Sequence, residues 1–299
     1  MPKAFVVVNP VAGSAEDSAH GDIAAHFAAQ GWESEIHGMS GDEDVSALVR
    51  EAVARGCDLC VGSGGDGTVS AVADGLVGTD VPLGILPAGT GNVLARELGI
   101  PTEMDQALDL LTGEHDIAPL DMIRVGDTRY VLNVSIGIGS LSMRDTKTTA
   151  KQRFGVLAYA LTILRTLIGY QPGLFTVTVD GRRRVIRAAE VIVANSAAIG
   201  NPDVRLSHDV HLDDGRLDVC VVRARTLLGY VRVAWDVLSR RQEDSRTVRC
   251  IPVQETVRIE TRRTLPVEAD GDIIGDTPVE ATLERAAVRV VVPKDRRRY

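Results

Sequence analysis

The sequence predicts an α/β protein in two parts. The first is an N-terminal open parallel sheet with helices on both faces. The second is a C-terminal domain of mainly antiparallel strands, and a cleft separates the two. Three observations carry this prediction. Up to about residue 120, short unbroken apolar runs alternate with helical spacing, as in strands buried between crossover helices. Beyond that point strand-like runs punctuated by turn signals dominate. The length, 299 residues, suits two domains at ~150 residues each.

The elements follow in order. Residues 4–8 (AFVVV) predict a strand and 18–30 a helix, with Ile23, Ala24, Phe27 and Ala28 on one face. "WESEIHG" is a weaker strand, and 43–55 a helix with Val45, Leu48, Val49, Ala52 and Val53 at helical spacing. "DLCVG", then 68–78, "LGIL" and 91–98 continue as strand, helix, strand, helix. The second half offers strands at 129–139, 174–180, 184–195 and 216–224 and several after 247, with helices near 150–168 and 226–240. The predicted domains are 1–121 and 122–299, with the last residues free to return to the first domain.

Composition excludes several classes. Net charge is −8, so no global basic field for nucleic acid exists. The basic tail 294–299 reads as a solvated end. The six histidines show no H-x-x-x-H spacing, and no second pair completes a zinc site with Cys57 and Cys60. That pair reads as core packing. Four scattered cysteines predict no disulfide framework and a reducing compartment. The apolar run at the N-terminus is too short for a signal peptide. Residues 154–170, interrupted by Arg165, fall short of the ~20 apolar residues a span needs. The expectation is a cytoplasmic protein.

Three Gly-rich turns end predicted parallel strands: "NPVAG" (9–13), "GSGGDGT" (62–68) and "PAGTGN" (87–92). Ligands of open α/β sheets bind at that edge. Glycines let N–H groups converge on an anion, and a following helix adds its dipole. Thr68 and Thr90 can donate hydroxyls to phosphate. Asp66 would repel phosphate, and a Mg²⁺ ion on a nucleotide would give the carboxylate a purpose. The turns match neither G-x-G-x-x-G nor the P-loop pattern.

Together N-P-x-x-G, G-G-D-G-T and P-x-G-T-x-N-x-x-A-R resemble the diacylglycerol-kinase-like lipid kinases. The resemblance continues through "IAPLDMIRV", "LNVSIGIGS", "LDDGRLDV" and "ADGDIIGDTPVEATL". It implies ATP and Mg²⁺ as cofactors and transfer of the γ-phosphoryl group to a lipid hydroxyl, diacylglycerol-like. It also implies peripheral contact with a membrane at its inner face, and it is compatible with a homodimer. Asn9, Pro10 and Gly13, with Gly64, Gly65, Asp66, Gly67 and Thr68, would hold the ATP phosphates, and Ser40 and Thr90 would contact the nucleotide. Asp214 would ligate a structural Mg²⁺ with backbone carbonyls near His211 and Arg216. Asp66 and Asp121 would link that metal to the nucleotide.

The sequence departs from the family pattern twice. Asp272 stands where the family's D-G-E carries its Glu base, and Val93 replaces an Asp common in the family. Asp272 is then either the base of a slightly closed-up site or the mark of an impaired enzyme that binds as a regulator. G-G-D-G-T is also shared with NAD kinases. An NAD kinase-like enzyme for a soluble substrate is therefore a further alternative. The stripe Leu157, Leu161, Leu164 and Ile168 reads as a helix packed on the β domain or as a lipid-contacting one.

Overall fold

The computed structural model describes all residues except 10–15, 42, 146–171, 197, 200, 206, 208–209, 225–246 and 296–299. The helices expected near 150–168 and 226–240, with the apolar stripe, lie outside the described residues.

Four N-terminal strands pair in parallel in the order β2-β1-β3-β4: β1 Lys3–Val8, β2 Glu33–Gly38, β3 Leu59–Gly64 and β4 Leu83–Pro87. The helices between them are α1 Glu16–Ala29, α2 Val45–Ala54 and α3 Asp66–Leu76. Two shorter ones follow, α4 Val93–Glu97 and α5 Met104–Thr112. Side chains of a strand alternate between faces, and β1 shows why both must be covered. Phe5 and Val7 pack with Val49, Val72 and Leu76. Ala4, Val6 and Val8 pack with Ile23, Phe27 and Leu108. Each such buried Val, Leu, Ile or Phe side chain contributes about 1.5–3 kcal/mol. Helix α5 is additional to those that periodicity predicts.

The chain then runs through β5 (Asp116–Val125), β6 (Thr128–Tyr130), β7 (Asn133–Gly137) and α6 (Ile138–Asp145), the last also unpredicted. After β8 (Gly173–Val179), β9 (Arg182–Ala188) and β10 (Glu190–Ala194) come the short β11 (Ala198–Ile199) and β12 (Asn201–Arg205). The remaining strands are β13 Leu217–Val222, β14 Val248–Val253, β15 Thr256–Thr261, β16 Pro266–Ala269, β17 Asp272–Asp276 and β18 Val279–Val292. An antiparallel sheet of order β14-β13-β10-β7-β16-β17 faces β15, β8 and β9. Between them Val134, Ile136, Val191 and Val219 pack against Phe175, Val177, Val257 and Ile259.

Strand β18 joins the two parts. Its first residues pair with β15, and its later ones lie antiparallel to β5 and parallel to β4, with Val290 opposite Leu83. Its register shifts between Glu284 and Val288, where the Ala286 N–H donates to Asp121 Oδ1 at 2.7 Å. Strand β5 runs straight through the predicted boundary at 121/122.

The expectation about the cysteines needs correction. Cys220 and Cys250 stand directly opposite each other on β13 and β14 and form a disulfide. They are 30 residues apart in sequence, and only the strand register brings them together. Among the described residues no helix is long and apolar enough to cross a membrane.

Candidate active site

The Gly-rich turns interlock at the C-terminal edge of the parallel strands. The Asn9 N–H donates to the Ser63 carbonyl at 2.9 Å, and the Ala88 N–H to the Gly64 carbonyl at 3.0 Å. Asn9 Nδ2 donates to Thr68 Oγ1 at 3.0 Å. A Cβ on Gly64 would stand 2.6 Å from Thr68 Oγ1, and one on Gly89 would stand 2.4 Å from the Gly65 Cα. Only glycine lets these turns pack so closely. Thr68 is buried beneath the turn, while Thr90 and Ser40 are exposed at its rim. The Ser40 N–H donates to Glu43 Oε1 at 2.7 Å. Pro10 and Gly13 lie outside the described residues.

The first N–H groups of a helix lack intrahelical acceptors, and Gly65, the N-cap of α3, has no side chain to take them. This end of α3 therefore offers donors and the positive end of the helix dipole to an anion.

Asp66 has partners that the sequence reading missed. Its Oδ2 accepts from the Val93 N–H at 3.1 Å and its Oδ1 from the Leu94 N–H at 2.9 Å. The carboxylate thus caps α4, each of its oxygens held by a backbone amide. Asn92 enters α4 in the left-handed conformation, φ 46°, fastened both ways to Gly89 at 2.9 Å. Val93, the family departure, contributes its backbone here while its side chain joins the core.

The D-G-D turn between β16 and β17 closes over α3. A Cβ at Gly67 would stand 3.8 Å from Asp272 Oδ2, so the exposed Asp272 flanks the phosphate turn. Asp270, φ 46°, is held by four donors: Ser70 Oγ and the N–H groups of Val131, Leu132 and Asn133, at 2.7, 2.7, 3.0 and 3.0 Å. Burial pushes its carboxyl up, and these hydrogen bonds oppose the shift. Behind the turn, Glu268 accepts from the Gly271 N–H at 2.7 Å and from Ser135 Oγ at 2.6 Å. Glu190, facing Glu268 and bonded to Ser135, is pushed up to about 7 by burial and by the Glu268 charge.

Asp121 and the 212–215 loop that carries Asp214 meet directly. Asp121 places Oδ1 on the Ala286 N–H and Oδ2 on the Gly215 N–H, each at 2.7 Å. Asp214 Oδ2 pairs with Arg216 Nε at 3.2 Å, and Arg216 also reaches Asp218 at 3.5 Å. His211 supplies a backbone contact to Asp214, whose carboxyl burial pushes up. Among the described residues no three His, Cys, Asp or Glu side chains group as metal ligands. Asp214 is the one side chain in the expected donor set, the rest being backbone carbonyls, and it lies beside Arg216 in the loop that Asp121 also touches.

Ser70, Glu268, Glu190 and the ion pair of Glu97 with Arg205 at 2.6 Å carry no sequence signal. Each acquires its partner only through folding.

The parallel sheet thus has its Gly-rich edge closed by an acidic turn from the antiparallel sandwich. Residues 3–125 match the diacylglycerol kinase catalytic domain, and residues 133–292 the YegS C-terminal NAD kinase beta sandwich-like domain. The chain belongs to the diacylglycerol kinase family. It is 27% identical to a diacylglycerol kinase of Bacillus subtilis over 99% of this chain and 98% of that one. It is 29% identical to one of Mycobacterium tuberculosis, covering 98% and 96%. A diacylglycerol kinase structure from Bacillus anthracis superposes with a TM-score of 0.78 at 24% identity, covering 98% of this chain and 97% of that one, and shares the fold.

Proposed function

We propose that this protein is an ATP-dependent lipid kinase that transfers the γ-phosphoryl group of ATP to the hydroxyl of a diacylglycerol-like lipid. The observation that carries this reading is the approach of Asp272 Oδ2 to within 3.8 Å of a Cβ position on Gly67. It sets an acid beside the turn best built to hold phosphate. The N–H donors of α3, with Asn9 and Thr68 behind them and Ser40 and Thr90 at the rim, receive the nucleotide. Pro10 and Gly13 belong to the same turn in the family pattern. Mg²⁺ arrives with the nucleotide as part of the substrate.

The acceptor hydroxyl gives its proton to Asp272. Its oxygen bonds to the γ-phosphorus as the bond to the bridging oxygen breaks, and ADP leaves. Because phosphoryl transfer has a loose transition state, positioning and charge stabilisation supply most of the rate. An Asp reaches less far than a Glu, and a base must come within ~3 Å of its hydroxyl. The close seat of the D-G-D turn on Gly67 offsets that shorter reach.

The test is transfer of label from ATP into a panel of detergent-dispersed lipids, with NAD as a soluble control and Asp272→Asn beside wild type. A labelled lipid that vanishes in the variant supports the reading. Label in NAD alone, or ATP binding without transfer to any acceptor, overturns it in favour of a soluble-substrate kinase or a regulator.

A further inference from the structure

Cys57 and Cys60 form a C-x-x-C pair that neither the phosphate turns nor the D-G-D turn uses. Their sulfurs lie 3.2 Å apart, in direct contact. The backbone enforces this meeting. Helix α2 ends at Ala54 with Arg55 as its C-cap, and Gly56 at φ +85° turns the chain back. The Cys57 N–H donates to the Ala52 carbonyl at 3.2 Å. Cys60 is fixed in β3 between Phe5 of β1 and Leu83 of β4.

Access to the two sulfurs is unequal. Cys57 is half-buried and Cys60 fully buried, so an outside reagent meets Cys57 first and Cys60 is reached only through its neighbour. Their chemistry is unequal in the same sense. The hydrogen bond from Cys60 lowers the Cys57 thiol, helped by the Leu59 N–H and the Arg55 charge. Burial and the adjacent Asp58 oppose this, but Asp58 already accepts from the Lys3 N–H at 2.8 Å. The pairing with Cys57, together with burial, pushes Cys60 up. A lowered, reachable thiol beside a resolving one is the arrangement of reactive cysteines.

We propose that Cys57 and Cys60 are a redox-active dithiol, with Cys57 attacking and Cys60 resolving, that takes low-molecular-weight disulfides as oxidants. The Cys57 thiolate attacks one sulfur of the incoming disulfide and expels the other half, which takes up a proton. Cys60 then loses its proton and attacks Cys57 Sγ. The Cys57–Cys60 bond forms, and the second half of the oxidant leaves as a thiol. Two protein thiols give up two electrons and two protons, and one small disulfide becomes two thiols. The pair sits at the start of β3, and the phosphate turn at its end. Its chemistry is therefore readable without any assay of phosphoryl transfer.

The test equilibrates the full chain in a series of reduced and oxidised glutathione buffers, blocks free thiols and maps tryptic peptides by mass. Both cysteines fall in one peptide, residues 56–96, apart from Cys220 and Cys250. The expected result is loss of two hydrogens from that peptide, reversed by dithiothreitol. Cys60→Ala should trap one glutathione on Cys57, and Cys57→Ser should leave Cys60 unmodified. A wild-type peptide that stays a dithiol in every buffer, or stops at the glutathione adduct, overturns the proposal. So does modification of Cys60 in Cys57→Ser.

Discussion

Ser70, on the first turns of α3, donates through its hydroxyl to Asp270 Oδ2 at 2.7 Å, across 200 residues of sequence. This bond fastens α3, proposed to face the nucleotide, to the turn that carries Asp272. Hydrogen bonds to a charged acceptor contribute about 1.5–3 kcal/mol. Ser70→Ala should lower unfolding free energy by about that amount in urea titration, and it should reduce phosphoryl transfer as the turn loosens. Unchanged stability would mean that the three backbone donors hold Asp270 unaided.

Gly67 has no side chain where Asp272 comes closest. In Gly67→Val the new side chain would stand between the phosphate turn and the acid while touching little of the core. The expected outcome is at least a tenfold fall in transfer, about 1.4 kcal/mol of barrier. The thermal midpoint should shift little. Normal turnover in this variant would remove the close approach as a catalytic feature.

Glu97 of α4 and Arg205 of β12 form an ion pair at 2.6 Å, with side chains only 6% and 13% exposed. Removing one partner of such a pair costs about 3–5 kcal/mol, because the other charge is stranded. Arg205→Ala should show that loss near neutral pH, whereas Arg205→Met combined with Glu97→Gln should lose much less. Burial already pushes the Glu97 carboxyl up. Acidification should therefore protonate the stranded Glu97 and recover part of the deficit. Denaturant midpoints at several pH values check both statements.

Glu190 makes stability fall as pH rises. Its carboxyl is raised from 4.5 to about 7 in the folded chain. Between those values the folded state keeps a proton that the unfolded state has lost. The stabilisation is fully present below 4.5 and is lost as pH climbs through about 7. Because Glu268 titrates with it, the expected span is about 1–3 kcal/mol. Glu190→Gln should flatten the stability profile over this window, and a wild-type profile already flat there would contradict the assignment.

Most of the architecture was legible because the strands it rests on are written locally. The runs in β1, β3 and β4 are apolar without interruption, and α2 shows its buried stripe at helical spacing. The Gly-rich turns were legible for the same reason. Partners distant in sequence were not. Asp66 reads as a carboxylate in need of a cation, yet it is satisfied by two amides nearly thirty residues on. Asp214 reads as a metal ligand, and the Arg216 guanidinium beside it is visible only in the fold. Cys220 and Cys250 look unrelated until register sets them opposite each other. Helix α5 joins the core, but its short stripe lies in a stretch without a strong flanking signal.

The path of β18 governs when the protein can fold. The edge of the parallel sheet beyond β4 is covered by β18, a strand that follows the antiparallel sandwich strands in sequence. Nascent domains generally fold in order from the N-terminus. Here the first four strands emerge early, but their sheet waits for the antiparallel strands to be made before β18 can complete it. A chain stopped before β18 leaves that sheet with an open edge.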